Sequence, residues 1–112
     1  MSSKVNKMAN DMAVPAGKTK VVPFKISFSV ETNDSWEDEV YTIVYVSGVP
    51  EDLDPDDSTI KHAAEQQFVN FINSRVYLEL YEPKQDYKND YPTFLNTSNA
   101  LKITVINVER IE

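Results

Sequence analysis

The chain has 112 residues, no cysteine, 41% hydrophobic residues and a formal net charge of −7. Its length fits one domain, and its apolar content, with six Tyr, five Phe and one Trp, argues against a disordered polymer. Without cysteine there are no disulfides, thiolate nucleophiles or cysteine metal sites, and no apolar run approaches the roughly 20 residues that span a bilayer.

The charge is unevenly divided. Residues 1–25 carry five lysines against Asp11, a net +4, whereas residues 26–112 carry six basic and seventeen acidic side chains, a net −11. Nucleic-acid binding rests on cations that displace counterions from phosphates, so a body this acidic is not expected to bind nucleic acid directly. The first twenty residues hold lysines but no apolar stretch of the signal-peptide kind, and a cytoplasmic location is the expectation.

In chain order, Val5, Met8, Ala9, Met12 and Ala13 recur at i, i+3, i+4, i+7 and i+8, which is one face of a short helix. About ten residues do not hold a helix in isolation, so residues 1–18 read as an arm that is flexible or docked on a partner. Residues 19–112 read as one acidic domain. In "VPFKISFSVET", Phe24, Ile26, Phe28 and Val30 alternate with Lys25, Ser27, Ser29 and Glu31, a strand with one buried face; Pro23 suggests an edge position. "EVYTIVYVSG" is a second strand, with Val40, Thr42, Val44 and Val46 on one face and Tyr41, Ile43 and Tyr45 on the other. Asn33-Asp34-Ser35 supplies the turn between the two.

A helix is expected over about 56–74, with a core stripe of Ile60, Ala64, Phe68, Phe71 and Ile72. "VYLELYE" is a third strand, presenting Val76, Leu78 and Leu80 on one face and Tyr77, Glu79 and Tyr81 on the other. Residues 82–99 form a long polar connection. "LKITVINVER" is the last strand, with Ile103 and Val105 pointing one way and Ile106 and Val108 the other. The order β-β-α-β-β predicts an α+β fold, a mostly antiparallel four-stranded sheet with one main helix on one face. A small open β-barrel with one helix is the alternative.

Three features bear on function. The segment "EDLDPDDS" places Glu51, Asp52, Asp54, Asp56 and Asp57 within eight residues. A calcium loop needs glycine at its sixth position and a bidentate Glu at its twelfth; here Asp57 and Ala63 stand there, so a helix N-terminal cap is the better reading. The single histidine, His62, lies about 200° around the helix from Ile60 and faces solvent, with no nucleophile motif near it. Phosphate-cradling, dinucleotide and zinc motifs are missing, so no catalytic residue, metal or cofactor is expected. Finally, Tyr41, Ile43, Tyr45, Tyr77 and Tyr81 share the sheet face that one helix leaves open. Such a surface is either an interface or is covered by the arm, the 82–99 connection or barrel closure.

The expected function is that of a non-enzymatic acidic protein-binding module docking on a partner with a basic surface. Small acidic inhibitors of nucleic-acid-binding proteins, often encoded by viruses or mobile elements, share this composition. The alternative is an assembly subunit that forms a homo-oligomer through Val5, Met8 and Met12 of the arm and the tyrosine face.

Overall fold

A computed structural model describes residues 18–111. Two long strands open the domain, β1 (Thr19–Thr32) and β2 (Trp36–Pro50), followed by the helix α1 (Ser58–Asn73). Two short strands follow, β3 (Tyr77–Leu80) and β4 (Thr93–Asn96). A single 3-10 turn, Thr97–Asn99, leads into β5 (Ala100–Arg110). The class is α+β with antiparallel pairing, as the pattern predicts. The single four-stranded sheet is not formed, and neither is a closed barrel. Instead a three-stranded sheet in the order β2-β1-β5 stands beside the two-stranded pair β3-β4. The fifth strand, β4, lies inside the segment read as a connection. Four residues are too few to show an alternation, and they pair with β3 across the twelve-residue segment 81–92.

The β1–β2 hairpin forms because the turn is locally satisfied. Thr32 Oγ1 accepts the amides of Asp34 at 3.3 Å and Ser35 at 3.2 Å, and the Thr32 amide donates to the Ser35 carbonyl at 2.9 Å. The register then sets Phe24 opposite Val44, Ile26 opposite Thr42 and Phe28 opposite Val40. Directly opposed residues share a face, so both alternations bury together under α1. Ile60, Ala64 and Phe68 supply the buried stripe of the helix, and the Phe28 and Phe68 rings meet with centroids 5.0 Å apart. Leu78, Leu80, Leu95 and Val108 complete this core.

Two details of the strand reading are corrected. β1 is the central strand of its sheet, not an edge. Pro23 is tolerated there because its carbonyl accepts the Ile111 amide at 3.0 Å just past the end of β5, where a missing proline donor interrupts no ladder bond. In β5 the pairing steps from Ser27–Asn107 to Phe28–Val105, which leaves Ile106 as an inserted bulge residue. The bulge resets the alternation, so Val108 shares a face with Val105 and Ile103 instead of opposing them.

Candidate docking face

The acidic loop is largely consumed by the fold. Asp57 is the N-cap of α1, its Oδ1 accepting the Thr59 amide at 2.8 Å. Those bonds from Thr59, backbone first and side chain second, hold the Asp57 carboxyl below its ordinary range. Asp54 Oδ1 accepts the Asp56 amide at 2.9 Å, and Asp56 Oδ1 pairs with Arg110 Nε at 2.7 Å. From the neighbouring strand, Lys20 Nζ donates to the carbonyl of Glu51 at 3.1 Å. Glu51, Asp52, Asp54 and Asp56 remain exposed, and Asp57 is intermediate. Among the described residues, no three His, Cys, Asp or Glu side chains are grouped so as to hold a metal ion. His62 is exposed and stands 3.8 Å from Glu65.

The second face of the sheet is where the other sequence features converge. Tyr41 lies opposite Ser27, Ile43 opposite Lys25 and Tyr45 opposite Pro23. At Tyr41 the outer edge of β2 meets the end of β3: Tyr41 and Tyr81 form an isolated antiparallel bridge, each donating its amide to the other's carbonyl at 2.9 Å. Their rings stack with centroids 5.2 Å apart and an interplanar angle of 23°, and Tyr87 meets Tyr81 edge-on at 6.5 Å.

Residues 82–92 fold back over this cluster. The Tyr41 hydroxyl donates to the Gln85 carbonyl. The turn is closed by its own side chains: Gln85 Oε1 accepts the Glu82 amide at 2.6 Å, Asp90 Oδ2 accepts the Asp86 amide at 2.7 Å, and Asp86 Oδ1 accepts the Lys88 amide at 3.0 Å. As a result Tyr41 is 3% and Tyr81 5% exposed, while Tyr45 at 51% and Tyr77 at 68% stay open. The five residues singled out from the sequence therefore separate. Tyr41 and Tyr81 are covered by the connection, Ile43 is half-buried, and Tyr45 and Tyr77 are exposed. Val5, Met8 and Met12 lie outside the described residues.

The electrostatics of this face are not visible in strand alternation. Lys25 Nζ lies 4.5 Å from the centroid of the Tyr41 ring, a cation–π contact. Burial raises the Tyr41 phenol above its usual value of 10.0; the Tyr87 amide opposes the shift, and the negative charges of Asp86 and Asp90 add to it. Tyr45 and Tyr81 are raised in the same direction by burial first, with Glu79 contributing to both, and the Tyr81 hydroxyl donates to Glu79 Oε1 at 3.3 Å. Glu79, Asp86 and Asp90 place negative charge around these rings, and two of the chain's own cations answer it, Lys25 over Tyr41 and Lys88 Nζ 5.8 Å from the Tyr87 centroid. Glu79 shares the strand face of Tyr77 and Tyr81 by alternation, whereas Asp86, Asp90 and Tyr87 are not among the expected site residues. Their signal, tyrosines interleaved with acids in "ELYEPKQDYKND", was present, but nothing local indicated that the loop would return to the sheet.

No family model, curated protein or solved structure matches this chain. No helix among the described residues is long and apolar enough to cross a membrane.

Proposed function

We propose that this chain is a non-enzymatic acidic binding module that docks on a basic surface of another protein through the tyrosine–carboxylate face. The observation that carries the proposal is Lys25 over Tyr41 beside Asp86 and Asp90: one cation of the chain's own already uses the ring, and exposed Tyr45 with Glu79 offers the same combination outward. Tyrosine brings apolar area at low entropic cost, and carboxylates around it select a cationic partner and speed encounter. A basic surface on a protein is commonly a phosphate-binding surface, so docking there would displace nucleic acid. Inhibition of a nucleic-acid-binding protein is therefore the activity proposed, in the cytoplasm of a host cell. Acids 51–57 contribute through the exposed Glu51, Asp52, Asp54 and Asp56, while Asp57 is taken up by the helix cap.

A second reading, self-assembly, is favoured by one observation. β5 is an eleven-residue edge strand with Leu101, Val105 and Ile106 exposed, and an open edge of this kind pairs readily with another strand. The test of the first reading is affinity capture from a host lysate with the wild-type chain and with Glu79→Gln/Asp86→Asn/Asp90→Asn, whose amide oxygens still accept the loop's hydrogen bonds. The expected result is a basic protein retained by the wild type, released by salt and lost with the triple variant. Equal capture by the triple variant would refute docking through this face.

A further inference from the structure

The β2-β1-β5 sheet and the β3-β4 pair touch at one rung. In an antiparallel ladder, the next residues to exchange a pair of backbone bonds after Tyr41 and Tyr81 are two positions along each strand, Ile43 and Glu79. They do not pair: the bridge is isolated, and the strands leave a cleft of about 240 Å³ between them. Ile43, Phe71, Val76 and Leu78 line it with apolar surface, and Thr42 and Glu79 supply its polar groups.

Two features set this cleft apart from a simple gap between elements. Thr42 is 2% exposed, and its hydroxyl forms no hydrogen bond with any described residue. Buried hydroxyls are normally paired, so an unpaired one lining a cleft points to a partner that arrives from outside. The second feature is the treatment of the β2 edge. The carbonyl of Tyr45 is satisfied by Gln67 Nε2 at 3.0 Å, whereas the fold supplies no such substitute at Ile43. The edge is thus closed on one side of the cleft by Gln67 and on the other by the Tyr41–Tyr81 bridge, with an open position between.

We infer that this cleft receives an extended segment of a basic protein. One apolar side chain of the segment enters between β2 and β3, its backbone pairs with the open edge of β2 at Ile43, and an adjacent Lys or Arg meets the Glu79 carboxylate. At about 30 Å³ for each water, the cleft has room for roughly eight waters, enough for one branched or aromatic side chain. Strand addition at an exposed edge gives affinity through main-chain bonds and specificity through such a side-chain pocket. Glu79 at the wall and the net −7 of residues 18–111 favour a cationic segment over an acidic one. This inference rests on the docking function proposed above and names its recognition element.

The test is titration of isotope-labelled protein with the blocked hexapeptide Lys-Lys-Phe-Val-Lys-Lys, followed through backbone amide signals. Two control peptides replace Phe-Val by Ser-Ser or the lysines by glutamates. The expected result is shifts centred on Ile43, Tyr77 and Glu79, with affinity for either control weaker by at least roughly tenfold. Thr42→Val, which keeps the shape and removes the hydroxyl, is expected to weaken binding roughly fivefold while leaving the folded protein at least as stable. Shifts confined to Tyr45 and residues 86–90 would overturn the cleft while leaving docking on this face intact. Equal binding of the Ser-Ser peptide, or no binding by any peptide, would also overturn the cleft, and the lysate capture would then judge the docking function alone. Concentration-dependent shifts at the same amides without peptide would assign the cleft to a second copy of the chain and overturn the basic segment.

Discussion

Tyr41 and Tyr81 are the rung that joins the two sheets: their amides and carbonyls are bonded reciprocally at 2.9 Å, and their rings stack at 5.2 Å. The connection of residues 82–92 is anchored to the same pair through the Tyr41 hydroxyl and the Tyr81–Tyr87 contact. Removing the Tyr81 ring therefore undoes packing on both sides of the junction. Tyr81→Ala is expected to cost about 3 kcal/mol in urea unfolding, in the range for large-to-small changes at buried aromatic positions. Tyr41→Phe keeps the stack and loses the hydroxyl's bonds to the Gln85 carbonyl and the Tyr87 amide, at about 1 kcal/mol each. Its signature is faster amide exchange in residues 82–90 with the rest of the domain unchanged.

Phe68 of α1 against Phe28 of β1 is the contact that holds the helix on the sheet. Phe68→Ala is expected to cost about 3–5 kcal/mol. Small domains are stable by only about 5–15 kcal/mol, so calorimetry should find this variant near the limit of folding.

Two backbone positions are expected to move stability in opposite directions. Arg75 follows the C-cap of α1 with φ 58, a left-handed conformation at a place where helices usually put glycine. Arg75→Gly relieves that strain and is expected to stabilise by up to about 1 kcal/mol. Gly48 in β2 has φ 73, and a Cβ added there would meet no atom within 4 Å. The cost of Gly48→Ala is therefore conformational alone, about 1–2 kcal/mol. Thermal melts of the two variants check the signs.

The lowered carboxyl of Asp57 makes a prediction about acid. A carboxylate held below its ordinary value of 3.8 stabilises the fold fully above that value and loses its contribution as pH falls through the lower folded one. Asp57→Ala is expected to melt earlier than the wild type at neutral pH, and the difference should narrow as pH falls through the lower folded value, leaving what the neutral carboxyl still contributes as a cap. The raised phenols of Tyr41, Tyr45 and Tyr81 act at the other end: their contribution is complete below 10.0 and is lost as pH rises through their higher folded values. Alkaline unfolding should therefore coincide with ionisation of these tyrosines in ultraviolet titration.

The parts of this fold legible from sequence are those whose signal is local and long. Phe24 to Val30, Val40 to Val46 and the Ile60–Phe68 stripe each repeat their period several times, so the hairpin, the helix and the buried core follow directly. The Asp57 cap is similarly local. Three features were not legible because their causes lie far along the chain. Thr93–Asn96 becomes a strand only because β3 lies beside it. The bulge at Ile106 exists only in the register of β5 against β1. Burial of Tyr41 and Tyr81 depends on Gln85 and Tyr87, which come from a loop whose composition is that of any solvated turn. The site divides along the same line: the tyrosines and Glu79 follow from alternation, and Asp86, Asp90 and Tyr87 arrive with the return of the loop.

The central claim is that the tyrosine–carboxylate face is the docking surface. Amide hydrogen exchange of the chain alone and in complex with its captured partner tests it most directly. The account predicts slower exchange in residues 41–45 and 79–90, diminishing as salt weakens the complex. Slowing confined to residues 51–58, or to the edge strand at residues 100–110, would contradict it.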